Sequence, residues 1–396
     1  MKLVMTLMVR DEIDIVAAMI EHHLAQGVDL IIATDNASVD GTRELLASYA
    51  DTGRLELHDY LEHDKRQFAV VTGMAQRAYT VHGADWVINA DADEFFVPVD
   101  RKLTLKAALE QIPTSLGSFF APVVNMTGYP AKDGAGIGRL RWRDVRDDET
   151  LMLAAGLHAQ PTPNAIHIGH AEVAVVQGNH STSIRSAGQP DAAYAIEVLH
   201  LPWRSWTQFS TKVEVSGLAY EGNPDLNPSP RHHGMRDYRF HKAGVLEHFY
   251  LYRHPNVAGA GKRGLPVTEF VEDGWLADEL RALDEAGQAV LPAELAKVLA
   301  SDGSETDYPK TAWTKAAEVV AFVLPLETER TESLQTAIDE RNLARRRLQK
   351  ARWRIAELKA QLAATPKARL KRAVKSGLAK LPEPVKKPLR ALKGSR

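Results

Sequence analysis

The first hundred residues alternate short apolar runs, rich in β-branched residues, with stretches of helical periodicity. The apolar runs at 3–9, 30–34, 55–58 and 86–90 have the length of buried strands. Between them, residues 13–25, 41–49 and 67–81 carry helical patterns, and Gly27, Gly53 and Gly83 stand where each of those units should stop. Asp40 reads as the N-cap of the second helix. The order is β-α-β-α-β-α-β, which is how a parallel sheet with crossover helices reads. From residue 103 to about 292 the pattern is irregular, with 118–124 and 173–176 as short strands among many Gly, Pro and His residues. Loops of this kind carry specificity more often than scaffolding.

A different period takes over near the C-terminus. Leu334, Arg341, Leu348, Ile355 and Leu362 recur every seven residues, with Ala337, Ala344, Ala351 and Leu358 three positions later. That spacing predicts a coiled-coil seam over 331–364 and self-association through it. The competing reading is a solitary solvated helix, because Arg341 interrupts the seam and alanine packs weakly. The expected organisation is a first α/β half at 1–104, a second half at 105–292, a helical linker at 293–330, the coiled coil, and a basic tail at 365–396.

Composition narrows the class. With 396 residues, 44% hydrophobic and 25% charged, the chain is long enough for two or three units and falls in the globular range. No uninterrupted apolar run approaches the roughly 20 residues that span a bilayer. The run at 3–9 ends at Arg10-Asp11-Glu12 with no small-residue cleavage site, so it reads as a strand and not a signal peptide. The absence of cysteine excludes disulfides, thiolate metal sites and a cysteine nucleophile, and makes the cytoplasm the expected location. A net charge of -2 conceals a split: residues 341–396 hold 19 Lys or Arg against 2 acids, and the other 340 residues hold 30 against 49. An acidic body with a basic tail does not suit nucleic acid as the main partner; the tail suits either disorder or an anionic membrane surface.

The candidate chemistry sits at the ends of the strands. Asp91-Ala92-Asp93-Glu94 follows the run at 86–90, and in an open α/β sheet ligands bind beyond the carboxyl ends of the strands. Two carboxylates at that spacing can hold a hard divalent ion, which in turn bridges diphosphate oxygens. An isolated Asp-x-Asp is equally what a surface loop contains. A second turn, Thr34-Asp35-Asn36-Ala37-Ser38-Val39-Asp40-Gly41-Thr42, puts another acid on the same edge. Asp35 is placed to accept hydrogen bonds from a base or ribose, whereas Asp40 shapes the turn.

Three segments, "VMTLMVRDEIDIVAAMIEHHLAQGVDLIIATDNASVDGT", "KRQFAVVTGMAQRAY" and "ADWVINADADEFF", together resemble glycosyltransferase family 2, in the branch with a long His-containing first helix. The resemblance is close over residues 3–99 and looser to about 220. It implies the nucleotide-diphospho-sugar transferase (GT-A) fold, with the nucleotide-sugar in the first half and the acceptor in the second. On that resemblance Asp35 contacts the nucleotide, and Asp91 and Asp93 hold Mn(II) or Mg(II) and the diphosphate. Arg10, Asp11 and Glu12 line the base pocket, and Lys65 and Arg66 face the nucleotide. Residues 199–212 resemble the family block H-x-x-x-R-S-x-x-x-F-x-x-K, which implies that His200 completes the metal site and that Arg204 and Lys212 neutralise phosphate.

The implied reaction is an inverting transfer from a donor expected to be a UDP-sugar to a glycan or lipid-linked acceptor, with a carboxylate as base. Asp144, Asp147, Asp148 and Glu149 supply acids at a plausible distance along the chain, and Asp148 is the candidate, although that run is equally a charged surface loop. His180, in Gly178-Asn179-His180-Ser181, is a second candidate for acceptor or phosphate contact. No Gln-x-x-Arg-Trp block is present, and a processive polymer synthase is not expected. Two alternatives remain: a sugar nucleotidyltransferase, which would show a Gly-rich basic loop where Arg10-Asp11-Glu12 stands, and an inactive scaffold acting through the coiled coil and tail.

Overall fold

A computed structural model of the chain describes residues 1–61, 67–155, 157, 160–223, 228–255, 269–302 and 308–380. It divides into two units, Met1–Leu326 and Glu327–Arg396.

In the first unit β1 (Leu3–Val9), β2 (Leu30–Asp35), β3 (Leu55–Asp59) and β4 (Trp86–Ala90) run parallel in the order β3-β2-β1-β4. They are joined by α1 (Val16–Ala25), α2 (Thr42–Asp51) and α3 (Gln67–Thr80). Alternation along β1 explains why its apolar run is continuous. Leu3, Met5, Leu7 and Val9 enter a core shared with α1 and α2, while Val4 joins Ile32 and Val87 against Val71, Met74, Ala75 and Ala78 of α3. Gly27, Gly53 and Gly83 follow the three helices at φ of 92°, 74° and 65°, which only glycine adopts freely. The first helix starts three residues later than its periodicity suggests. Asp11 is left-handed at φ 53° and Ile13 N donates to Asp40 Oδ2 at 3.0 Å, so this backbone is committed to a turn.

Beyond β4 come β5 (Glu94–Pro98), α4 (Leu105–Gln111), β6 (Ser118–Ala121), β7 (Val123–Thr127), β8 (Trp142–Asp144), α5 (Asp148–Ala155), β9 (Asn164–Ile168) and β10 (Ile196–His200). Strand β9 extends the first sheet antiparallel to β4, and β6 pairs antiparallel with β9 at its edge. The expected strand at 118–124 is cut at Pro122: β6 stays in the first sheet and β7 enters a second one, of order β11-β8-β7-β10-β5, where β11 is Phe270–Glu272. Proline has no N–H to continue a ladder, so the chain changes sheets there. The expected strand at 173–176 is not formed. Val173 and Val175 are buried beside α3, but only Val175 pairs, in an isolated bridge with Thr182.

Helices α6 (Trp206–Glu221), α7 (His233–Lys242) and α8 (Leu246–Arg253) build a further core around Phe209, Tyr238, Phe249 and Tyr250. After α9 (Trp275–Glu285), the segment 293–330 is helical in α10 (Pro292–Ala300) and from Lys310 on, and it contributes to both the main core and that of α6–α8. Leu295 and Val298 of α10 belong to the main core, and Glu21 of α1 accepts from Val290 N and Leu291 N, both at 2.7 Å. Trp313, Ala316 and Val320, at the start of α11 (Lys310–Ala364), belong to the core of α6–α8. The amphipathic faces there are buried, which is what makes these segments structural.

The second unit contains the remainder of α11 and then α12 (Pro366–Ala379). The seam residues lie on continuous helix, as their spacing predicts, and Leu334, Leu348, Ile355, Leu358 and Leu362 are all exposed. Part of the expected basic tail, 366–379, is helical, and 381–396 lies outside the described residues. No helix among the described residues is long and apolar enough to cross a membrane.

Candidate active site

In the order β3-β2-β1-β4 the direction of winding reverses at β1, which opens a crevice beyond the carboxyl ends of β1 and β4. The turns after β1 and β2 lock into each other there. Asp11 N donates to Ser38 Oγ at 3.0 Å, Val39 N donates to Asp11 Oδ1 at 2.7 Å, and Glu12 N donates to Thr42 Oγ1 at 3.0 Å. Asp40 accepts from Thr42 N at 2.9 Å but stands one residue before the N-cap, which is Gly41 at φ 101°. Asp35 accepts from Ser38 N at 3.0 Å through Oδ2, while its Oδ1 is buried with no partner among the described residues. A buried acceptor without a donor is costly.

Strand β5 carries the Asp91–Glu94 turn into the second sheet and is clamped by two buried histidines of α1. His22 Nε2 faces Phe96 O at 3.0 Å and its Nδ1 faces Glu279 at 2.7 Å. Phe96 N donates to His23 Nε2 at 3.2 Å. Both nitrogens of His22 face oxygen atoms, and burial together with that neighbouring ring holds His23 well below the usual histidine range. These histidines are structural.

The turn after β4 gathers a charged cluster. Asp93 Oδ2 accepts from Lys212 Nζ at 2.7 Å and lies 3.5 Å from Arg204 Nη1 and 3.8 Å from His200 Nε2. Lys212 Nζ is also 3.2 Å from Glu12 Oε1. Across the second sheet His200 stands opposite Glu94 on one side and Asn125 on the other, and its Nδ1 is 2.9 Å from Asn125 Oδ1. Glu94 accepts from Asp91 N at 3.1 Å and Asn164 Nδ2 at 2.8 Å. Asn179, itself left-handed at φ 61°, donates to Asp91 Oδ1 at 3.3 Å.

This crowding separates the carboxylates electrostatically. Burial and the charge of Asp93 push Asp91 up to about 6. Burial and the charge of Asp91 push Glu94 up to about 8. Burial acts the same way on Asp93, but Lys212, His200 and Arg204 outweigh it and hold Asp93 well below the carboxylate range. For His200 burial works downward, and Asp93 and Glu94 overcome it, leaving the imidazole above its ordinary value.

Beside the cluster is a cavity of about 760 Å³, a size suited to a small-molecule ligand. Its walls are the turns after β1 and β2, Tyr60, Asp133, Gly134, Gln177 and one face of α6, where Gln208, Thr211, Lys212, Val215, Ser216 and Ala219 recur at helical spacing. Of the residues singled out from the sequence, Arg10, Asp11, Glu12, Asp40 and Lys212 line this cavity. Asp93 and His200 lie behind it, joined to it through Lys212 and Glu12. His180 sits on the loop of Asn179, where burial and the nearby His200 lower its pKa.

Arg204 is fully buried and donates to Asp14 at 2.9 and 3.0 Å and to Glu12. Asp148 is exposed at the start of α5, where it accepts from Gln160 N at 3.2 Å, and no contact among the described residues joins it to the cavity. Lys65 and Arg66 lie outside the described residues. Asp14, Asn125, Asn164 and Asn179 were not legible in the sequence. Glu94 stood inside the acidic motif without being distinguished from it.

Residues 4–127 match the model of Glycosyltransferase family 92. The matched segment runs from β1 to β7 and includes both acidic turns, and the match supports a glycosyltransferase enzyme. It is a different family from family 2, which the motifs resemble. No curated protein matches the chain. Among solved structures, TarS 1–349 from S. aureus is 13% identical, over 76% of this chain and 83% of that one, with a TM-score of 0.32. The same protein in complex with UDP-GlcNAc is 12% identical, over 76% and 84%, with a TM-score of 0.32. Glucosyl-3-phosphoglycerate synthase from Mycobacterium tuberculosis, in complex with manganese, UDP and glucosyl-3-phosphoglycerate, is 14% identical, over 42% and 56%, with a TM-score of 0.21. TM-scores this low carry no argument about this chain's ligands.

Proposed function

We propose that this chain transfers a sugar from a nucleoside-diphosphate donor to a hydroxyl acceptor, with the donor held in the cavity beside Lys212 and Glu12. The observation that carries the reading is the interlocking of two acidic turns at the switch point of a parallel sheet, next to a cavity of ligand size. The match of residues 4–127 supports it, and a GT-A arrangement of the first unit follows from the same reading.

The residues of the cluster can be tested for fit to a divalent ion. Among the described residues no group of three His, Asp or Glu side chains is gathered as a metal site. Asp93 and His200 nevertheless face each other, and the contact of His200 Nδ1 with Asn125 leaves Nε2 turned toward the carboxylate, as in histidines that ligate metals. Mg(II) in particular is commonly held by one or two carboxylates together with substrate phosphates, so two protein donors suffice. On this reading Asp93 and His200 would hold Mn(II) or Mg(II), which would supply positive charge to offset a diphosphate.

The chain's own residues do the rest. Asp35 Oδ1 accepts an N–H or O–H from the base or ribose. Lys212, on the cavity wall, offsets negative charge that grows on the departing diphosphate. Arg204 holds Glu12 and Asp14 in place. The acceptor hydroxyl attacks the anomeric carbon from the side opposite the nucleotide and loses its proton to a carboxylate lining the cavity, which Asp148 does not.

Saturation-transfer NMR with a panel of nucleotide-sugars tests the donor site. The account expects saturation of the nucleoside and sugar protons of at least one donor, reduced in Asp35→Leu. No transfer to any of them from the folded chain would sink it.

A further inference from the structure

Helix α12 (Pro366–Ala379) has no part in the site described above and has its own charge and apolar pattern. It carries Lys367, Arg369, Lys371, Arg372 and Lys375 and no acid. At 100° per residue, Leu370, Ala373, Val374 and Gly377 fall on one arc, and the five cations lie on the rest of the circumference, with Ala368, Ser376, Leu378 and Ala379 among them. Leu370 is 67% exposed and Val374 52% exposed, so among the described residues these two apolar side chains are not covered.

We propose that α12 is an interfacial helix that lies in the surface of an anionic lipid bilayer, its apolar arc among the acyl chains and its cations at the headgroups. Length fixes the orientation. Fourteen residues make a helix of about 21 Å, short of the roughly 30 Å of a hydrocarbon core, so it lies in the plane and does not span. Charge fixes the lipid, since a face of five cations without an acid is complementary to an anionic leaflet and not to a zwitterionic one. The stripe separates a bilayer from a nucleic acid, because a phosphate backbone needs only the cations, whereas Leu370 and Val374 gain only where apolar chains receive them.

The test is co-sedimentation of the full chain with phosphatidylcholine vesicles, with or without added phosphatidylglycerol. The expected result is binding to the anionic vesicles alone, weakened by salt, and about tenfold weaker in a Leu370→Gln, Val374→Gln variant that keeps every charge. Both side chains are exposed, so circular dichroism should show the variant folded as the parent is. Failure to sediment with anionic vesicles would overturn the proposal. So would sedimentation that the variant leaves unchanged, or that duplex DNA abolishes in parent and variant alike, since either would make α12 a generic polyanion binder.

Discussion

Replacing Arg204 with alanine removes the cation that Glu12, Asp14 and Asp93 share. The side chain is fully buried, with three hydrogen bonds to Glu12 and Asp14 and a further donor 3.5 Å from Asp93. Breaking a buried ion pair from one side costs about 3–5 kcal/mol; here Lys212 is left to offset both Asp93 and Glu12, and Asp14 loses the cation it binds. The first unit spans 326 residues, and at about 2.1 cal/mol/K per residue its unfolding entropy is roughly 0.7 kcal/mol/K. The melting temperature should therefore fall by about 4–7 °C. Differential scanning calorimetry of Arg204→Ala reads this directly, with Arg204→Lys beside it. A lysine keeps the charge but cannot fork between two carboxylates, so it should fall in between. A melting temperature within about 1 °C of the parent, combined with loss of nucleotide binding, would refute the reasoning and make Arg204 a ligand residue.

Three further outcomes follow from the packing. Burial lowers His167 to about 4 and His254 to about 3 from 6.5, so their stabilisation is complete above about 6.5 and is lost as the pH falls toward those values; urea midpoints should drop between pH 7 and pH 5, less steeply in His254→Leu, and a midpoint that rises with acid contradicts this. A Cβ on Gly217 would come 2.1 Å from the ring of Tyr238, so Gly217→Ala should cost roughly 1–3 kcal/mol or more in urea unfolding, and a neutral result would mean that α6 and α7 are not so closely apposed. If the seam over 331–364 self-associates, sedimentation equilibrium should give a multiple of the chain mass for the full chain and a monomer without residues 331–396; equal association states would remove the coiled coil.

The four parallel strands of the first sheet were readable because each signal had a local cause. β1 and β4 end where their apolar runs end, and Gly27, Gly53 and Gly83 stop the helices at positive φ as their chemistry requires. Less could be read where tertiary contacts decide. β5 was hidden because Glu94–Pro98 directly follows the acidic turn and is all buried, so no alternation marks it as a strand. Val173 and Val175 alternate like a strand but satisfy themselves in the core beneath α3 without a ladder. Within the site, Asp35, Asp91 and Asp93 could be named from strand-end position, which sequence order reveals. Asp14, Asn125 and Asn179 act through partners between 75 and 190 positions away, and no local spacing encodes such pairings.

The measurement closest to the central claim is calorimetric titration of the chain with UDP, with and without Mn(II), beside Asp93→Asn and Lys212→Met. The account predicts that UDP binds the parent, more tightly with the metal, that Asp93→Asn loses the metal's contribution, and that Lys212→Met weakens binding in both conditions. A folded parent that binds no nucleoside diphosphate under either condition would contradict it.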